Sequence, residues 1–136
     1  MADADRLVNA AILGIAGGMR SFVPPAVLSA RGRFGPLPRT YMVYGVALGE
    51  LIADKHPKMG ARTQPPGIAG RLLGSGSGGH VLAGREGAAL AAGVAMVVSR
   101  LCVPTRSALA RRLGSDLPGA LVEDALALAI AAYATR

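Results

Sequence analysis

The stretch GIAGGMRSFVPPAVLSA, Gly14 to Ala30, lies within an apolar run that begins at Leu7 and carries one charge, on Arg20. With a rise of about 1.5 Å per residue, a helix over residues 7–30 is long enough to cross a bilayer core of about 30 Å. Pro24 and Pro25 prevent a regular helix across their site, because proline lacks an N–H and its ring crowds the preceding turn. The stretch therefore predicts a membrane helix that is broken at Pro24-Pro25.

The break would place a permanent charge and freed backbone carbonyls at membrane depth. We expect one helical segment to end near Ser21 and a short second segment to end near Arg31. Irregular backbone is tolerated at that depth only beside protein or a watery cavity. Arg20, one turn before the prolines, is therefore predicted to line a polar site.

The composition indicates a membrane protein. The 136 residues are 51% hydrophobic with a mean hydropathy of +0.41, yet only 4% are aromatic and 19 are glycine. Small residues dominate where helices approach closely in lipid, whereas a soluble core of this size needs bulky side chains. The net charge of +7 is spread over arginines between apolar runs, with no nucleic-acid recognition module. We expect membrane lipid, and no nucleic acid, as a partner.

Four further apolar runs follow, at residues 41–54, 67–84, 87–104 and 117–134. The run at 67–84 either crosses the membrane or forms a flexible loop. Its Gly70, Gly74 and Gly78 are four residues apart, which places them on one helix face and favours tight packing in lipid. The literal GxGxxG in this run follows no strand, so no dinucleotide site is expected. The sequence predicts an all-α fold, an integral membrane helical bundle of four to five spans in a single domain.

Two halves of the chain share a limited similarity. GIAGGMRSFVP, from Gly14, aligns with GVAMVVSRLCVP, from Gly93, when one residue is inserted. Each half places an arginine and then a proline near the end of an apolar run, and a helix with carboxylates follows. Such a pseudo-repeat of two halves suits a transporter; chance similarity in a chain rich in Ala, Gly and Val is the alternative.

Basic residues divide almost equally between the two sides of a four-span topology. Seven fall on one side: Arg6, Lys55, Lys58, Arg62, Arg71, Arg85 and Arg136. Six fall on the other: Arg31, Arg33, Arg39, Arg106, Arg111 and Arg112. The positive-inside rule needs an imbalance to set the orientation. Either the protein inserts both ways, with an antiparallel dimer as one form of an expected homo-oligomer, or some of these arginines are functional.

Charged residues inside the apolar runs must pair, face water or be neutralised, because each costs about 2.5–3.5 kcal/mol at the bilayer centre. Arginine stays charged, so we expect Glu123 or Asp124 to bind Arg20. Adjacent residues diverge on a helix, so these two carboxylates are expected to face different partners.

A second pairing is expected between the helix at 41–54 and the segment that follows it. Glu50 and Asp54 are four residues apart and share a helix face. Either of them would bind Arg71 or Arg62.

These charges have a structural and a functional interpretation. An ion-paired network would fix how the helices pack. Alternatively, the charges line a polar site at mid-membrane, where clustered carboxylates repel and one retains a proton. A proton-coupled transporter or an intramembrane acid catalyst needs such a group.

Other chemistries are not expected. His56 and His80 could join Asp54 at a metal, but His56 lies in a proline-flanked polar segment, so we predict no metal site and no cofactor. Ser21 and Thr63 lack a plausible relay for hydrolysis. The MADADR terminus has no basic region, so no cleaved signal peptide is expected.

Three segments resemble a known family: GGMRSFVPPAVLSARG from Gly17, GELIADKHPKMGARTQPPGIAGRLLGSGSGG from Gly49, and EDALA from Glu123. They are similar to domain-of-unknown-function family 4126, a family of small bacterial integral membrane proteins. The resemblance implies a helical, multi-pass protein of the bacterial cytoplasmic (inner) membrane, and no settled activity. The family pattern falls on Arg20, Ser21, Pro25, Glu50, Asp54, Lys55, Arg62, Thr63, Arg71, Glu123 and Asp124. GSGSGGH departs from the more apolar family pattern, which leaves the depth of the third helix open.

We weigh three functions. The first is a transporter or channel for an ion or a small polar or anionic solute. The second is an intramembrane enzyme, of isomerase or cyclase type, in which a carboxylic acid protonates a lipophilic substrate. The third is a non-catalytic scaffold subunit. The predicted catalytic or proton-carrying residues are Glu123, Asp124, Glu50 and Asp54. The predicted substrate-binding residues are Arg20, Ser21, Arg62, Thr63, Arg71 and Lys55.

Overall fold

The computed structural model describes residues 3–35, 37–53 and 65–136, which form five helices and no strand. The helices are α1 (Asp3–Met19), α2 (Val23–Ala30), α3 (Leu37–Ala53), α4 (Pro65–Leu113) and α5 (Leu117–Ala134). The predicted all-α class is confirmed over these residues.

The first apolar run is broken, but earlier than predicted. α1 ends at Met19 and α2 begins at Val23, so the break comprises residues 20–22 rather than Pro24-Pro25. The two prolines instead occupy the first turn of α2. A first turn tolerates proline because its N–H groups have no intrahelical partner to lose.

α2 folds back along α1. A methyl group placed on Gly78 of α4 would lie 3.0 Å from Leu13 Cδ2 of α1 and 3.6 Å from Leu28 Cδ1 of α2. Pro24 likewise lies beside Gly17. Residues 7–30, expected to form one kinked span, therefore form a helical hairpin whose two legs start and finish at the same end of the bundle.

α4 also reverses direction. Its backbone leaves helical geometry at Ala83 and at Gly84, where φ is +62°. In a straight helix, residues 76 and 92 would be about 24 Å apart. A methyl group on Gly76 would instead lie 3.9 Å from Ala92 Cβ. Residues 65–82 and 85–113 are therefore the first arm and the second arm of an antiparallel hairpin, divided close to the boundary predicted between the runs at 67–84 and 87–104.

α1 packs between the two arms through small residues. A methyl group on Gly14 would lie 2.6 Å from Ala91 O, and one on Gly18 would lie 2.6 Å from Val98 Cβ. On the first arm, the predicted glycine face contacts the break through Gly70 and Gly74, and α1 and α2 through Gly78. The first arm is a helix, not a flexible loop, and these glycines allow the backbones to approach closely.

α5 lies antiparallel to α1 and shows an alanine face inward. Ala127, Ala131 and Ala134 pack with Ala10 and Leu13 in the core. The large apolar side chains of α5 are exposed instead: Leu121, Val122, Leu126, Leu128 and Tyr133. Small residues inside and large apolar residues outside is a pattern that suits lipid rather than water.

α3 begins at Leu37, four residues before the predicted run, and packs against α2. Large apolar side chains along it are exposed, among them Tyr41, Met42, Leu48 and Ile52. The two halves of the predicted repeat differ at their prolines. The first half is broken before Pro24, whereas α4 continues as a helix through Pro104 to Leu113.

Within residues 3–35, 37–53 and 65–136, two helical segments are long and apolar enough to cross a membrane: Gly67–Leu113 within α4, and α5. This result supports membrane association. The predicted span at 117–134 coincides with α5.

Candidate functional site

The candidate site surrounds the helix break at residues 20–22. Ser21 and Phe22 have backbone N–H groups at the start of α2, where no helical carbonyl can accept them. Phe22, the residue that precedes the helix, offers no side-chain cap. Glu50 of α3 provides it from outside: its Oε1 accepts Ser21 N–H at 2.9 Å and its Oε2 accepts Phe22 N–H at 3.0 Å.

The other side of the break carries the opposite charge. Arg71 of the first arm is buried, and its Nε donates to Gly18 O at 3.4 Å, near the C-terminus of α1. Its Nη1 donates to Gly67 O at 3.0 Å. A cation at a helix C-terminus and an anion at a helix N-terminus both complement the helix dipoles. Arg71 and Glu50 therefore stabilise the two ends that the break exposes.

Arg20, the first residue of the break, is almost completely buried and forms an ion pair with Asp124 of α5 through Nε and Oδ1. The Asp124 side chain is 14% exposed. Asp124 was one of two carboxylates expected to bind Arg20, so the pairing is confirmed. Removing one member of a buried pair leaves an uncompensated charge, so the pair fixes α5 against the break.

A second ion cluster lies closer to the start of α5. Arg106 of the second arm donates from Nε to Asp116 Oδ1 at 2.7 Å and from Nη2 to Asp116 Oδ2. Its Nη1 contacts Glu123 Oε2 at 3.2 Å. Arg106 thus binds the residue before α5 and a residue inside it. Glu123 and Asp124 bind different arginines, as their divergence on the helix predicted.

Close backbone packing seals the break. A methyl group on Gly74 would lie 2.7 Å from the carbonyl carbon of Ser21 and would overlap its oxygen. One on Gly17 would collide with Ser75. Ser75 Oγ is fully buried and has no hydrogen-bond partner among the residues that the structure describes.

The structure brings together five of the predicted site residues: Arg20, Ser21, Glu50, Arg71 and Asp124. Glu50 or Asp54 was predicted to bind Arg71 or Arg62; Glu50 instead contacts backbone amides, and the pairings through Asp54 and Arg62 lie outside the described residues. Glu123 directly precedes Asp124 in the sequence, but its side chain belongs to the Arg106 cluster.

The remaining predicted site residues lie outside the described part of the chain. They are Asp54, Lys55, Arg62 and Thr63, together with His56 from the metal hypothesis. His80 is exposed on α4, and no group of three potential metal ligands occurs within residues 3–35, 37–53 and 65–136.

Sequence reasoning missed two contributors. Arg106 was counted only among the basic residues on one side of the membrane, beyond the apolar run at 87–104, although the helix continues through it to Leu113. Gly18 had no predicted role, whereas its carbonyl is an acceptor for Arg71. Orphan carbonyls at a helix end follow from the break itself, so the need for a donor there could have been predicted.

The chain matches no known family model, no curated protein and no solved structure. The resemblance to family 4126 stays a prediction.

Proposed function

We propose that this chain is a multi-pass protein of the bacterial inner membrane with four spans: α3, the two arms of α4, and α5. α1 and α2 enter as a re-entrant hairpin from the end of the bundle at which α4 reverses. Exposed leucines and valines on α4 and α5 would face lipid. The break inside such a hairpin is compatible with a membrane because protein covers it on several sides.

The depth of the break supports a function in transport. Asp124 is the eighth of the 18 residues of α5. It therefore lies about 10 Å from the start of α5 and about 15 Å from its end. Its partner Arg20 is then close to the middle of the membrane. Ionisable residues at this depth mark solute or ion pathways, and discontinuous helices form the binding sites of many secondary transporters.

We propose transport of an ion or a small polar or anionic solute through this site. The observation that carries the proposal is a buried arginine at a helix break that is paired with Asp124, a residue near the middle of another helix. Arg20 would bind the anionic group of the solute, and Asp124 would hold Arg20 when the solute is absent. Glu123 or Glu50 would carry a coupled proton.

A scaffold role is the second candidate, because the observed contacts also suit a purely structural network. Glu50, Glu123 and Asp124 each have a donor, and these contacts connect α3, α4 and α5 to the break or to each other. A buried ion pair that only fixes packing can be replaced as a unit by apolar residues with little loss of stability. The same replacement would abolish transport through the site.

The test is solute and charge movement into proteoliposomes under a pH gradient, with a panel of small anions, cations and neutral solutes. The variants are Arg20→Gln, Asp124→Asn and Arg20→Met with Asp124→Leu, and exposed Glu86→Gln is the control. Transport predicts a flux that all three site variants lose and the control retains. A flux that survives in the folded double variant would contradict the site, and absence of flux from folded wild-type protein for every solute would favour the scaffold.

A further inference from the structure

α3 is attached to the rest of the bundle differently from the other helices. α1, the arms of α4 and α5 pack on one another through buried small residues. Over the described residues α3 packs on α2, and several of its large apolar side chains are exposed: Tyr41, Met42, Leu48 and Ile52. Methyl groups on Gly45 and Gly49 would meet nothing within 4 Å, so these glycines do not seat α3 against its neighbours.

Among the described residues, Glu50 provides a polar connection from α3 to the bundle. Glu50 accepts the N–H groups of Ser21 and Phe22, one with each carboxylate oxygen. Hydrogen bonds to an ionised acceptor are about twice as strong as neutral ones. A helix whose large apolar side chains are exposed opens locally at a lower cost than helices whose residues pack in the core.

We infer that α3 is a gate over the helix break and that Glu50 is its latch. This inference rests on the proposed function, because a gate is meaningful only if the break is a solute site. In the latched state the carboxylate occupies the two amides at the start of α2 and covers the residue next to Arg20. When Glu50 leaves, both amides and the positive end of the α2 dipole face the opening.

Release of the latch has a defined chemical consequence. The opened break presents two backbone N–H donors at the N-terminus of α2, on the two residues that follow Arg20 in the chain, and such donors favour an anion. Glu50 and an anionic solute would then compete for the same two donors. Anion entry and latch closure exclude each other, which is how a gate keeps a site closed when empty.

The experiment measures access to the break directly and needs no solute. Ser21→Cys is introduced into a Cys102→Ala background, so that position 21 holds the single thiol. The labelling rate of the purified protein with a sulfonated maleimide is measured with Glu50 intact and in Glu50→Ala and Glu50→Gln. Glu86→Ala, which removes an exposed carboxylate on α4, is the matched control. Gel filtration and thermal unfolding establish that each variant is folded.

With Glu50 intact, labelling should be slow, because Ser21 is buried. Losing the charged hydrogen bonds should raise the rate at least about tenfold in Glu50→Ala, with Glu50→Gln intermediate because one acceptor oxygen remains. The control should label like the parent. A folded Glu50→Ala that labels no faster than the control overturns the latch. If Glu50→Ala does not fold, a Gln variant as slow as the parent overturns it instead. Because no solute is involved, the latch and the transport proposal can fail separately.

Discussion

Replacing Gly74 with alanine tests how closely the helix break packs on α4. The added methyl carbon would lie 2.7 Å from the carbonyl carbon of Ser21 and nearer still to its oxygen. Favourable separations of non-bonded carbon atoms are about 3.5–4.0 Å. The break must therefore move by about 1 Å, and the atoms in the way are backbone atoms that cannot rotate aside.

The free energy of this substitution has two opposing parts. Alanine favours a helix over glycine by about 1 kcal/mol. Overpacking a close contact costs about 1–3 kcal/mol, and more where the backbone cannot adjust. We expect Gly74→Ala to lower the free energy of unfolding by about 2 kcal/mol, since the contact belongs at the upper end of that range.

Gly93→Ala is the matched control, because position 93 lies on the second arm of α4 and a methyl group there meets nothing within 4 Å. It should raise stability by up to about 1 kcal/mol through helix propensity alone. Both variants are compared by reversible unfolding in mixed micelles with increasing denaturing detergent. If Gly74→Ala is as stable as Gly93→Ala, the break does not rest on the first arm as described.

Three further predictions concern charge and backbone geometry. Asp124→Asn should cost about 3–5 kcal/mol because it removes the Asp124 carboxylate from its ion pair with buried Arg20, whereas Arg20→Met with Asp124→Leu should recover most of that loss. A double variant no better than the single one would contradict an ion pair. Asp116→Asn should lower the free energy of unfolding by at most about 1 kcal/mol, and by less in high salt, because the Asp116 side chain is 52% exposed to solvent. A double-mutant cycle with Arg106→Gln measures the coupling energy, and a salt-independent loss of several kcal/mol would contradict an exposed ion pair. Gly84→Ala should destabilise by about 1–3 kcal/mol although nothing lies within 4 Å of the added methyl group, because its φ of +62° and ψ of −148° suit glycine alone; the same unfolding assay decides, and an increase in stability would show that α4 does not reverse there.

The sequence predicts the elements that depend on local pattern. The four-residue spacing of Gly70, Gly74 and Gly78 predicts their shared packing face, because a helix repeats every 3.6 residues. The apolar run at 117–134 predicts α5. Desolvation of a permanent charge predicts that Arg20 pairs with a carboxylate near residue 123, since burying it alone is too costly.

The direction of the chain after the break could not be predicted from the sequence. Two adjacent prolines predict an interruption of the helix, but both a kinked helix and a folded-back hairpin are compatible with the fixed φ and the missing N–H of proline. The choice depends on contacts far along the chain, where Gly74 admits the carbonyl of Ser21 and Glu50 caps the new helix. For the same reason the sequence could not predict that Glu50 caps α2. The N–H groups that donate to Glu50 are left without helical partners only by the tertiary arrangement.

The reversal changes which arginines share an end of the helical bundle. A kinked span over residues 7–30 places Arg6 and Arg33 on opposite sides. The hairpin of α1 and α2 places them at the same end, where Arg31 of the same loop donates to Ala132 O near the end of α5 at 3.1 Å. Arg112, in the last turn of α4, lies at the other end.

The measurement to make first is therefore two-step cysteine labelling of Arg6→Cys with Arg33→Cys, in a Cys102→Ala background in sealed vesicles. An impermeant maleimide is added outside, the vesicles are permeabilised, and a maleimide of different mass follows; intact-protein mass spectrometry then counts the labels on each molecule, so mixed insertion does not matter. A re-entrant break predicts two identical labels on every molecule, and one of each for the control pair Arg33→Cys with Arg112→Cys. One label of each kind on the first pair would show that the first helix crosses the membrane, and the mid-membrane site built on the reversal would be wrong.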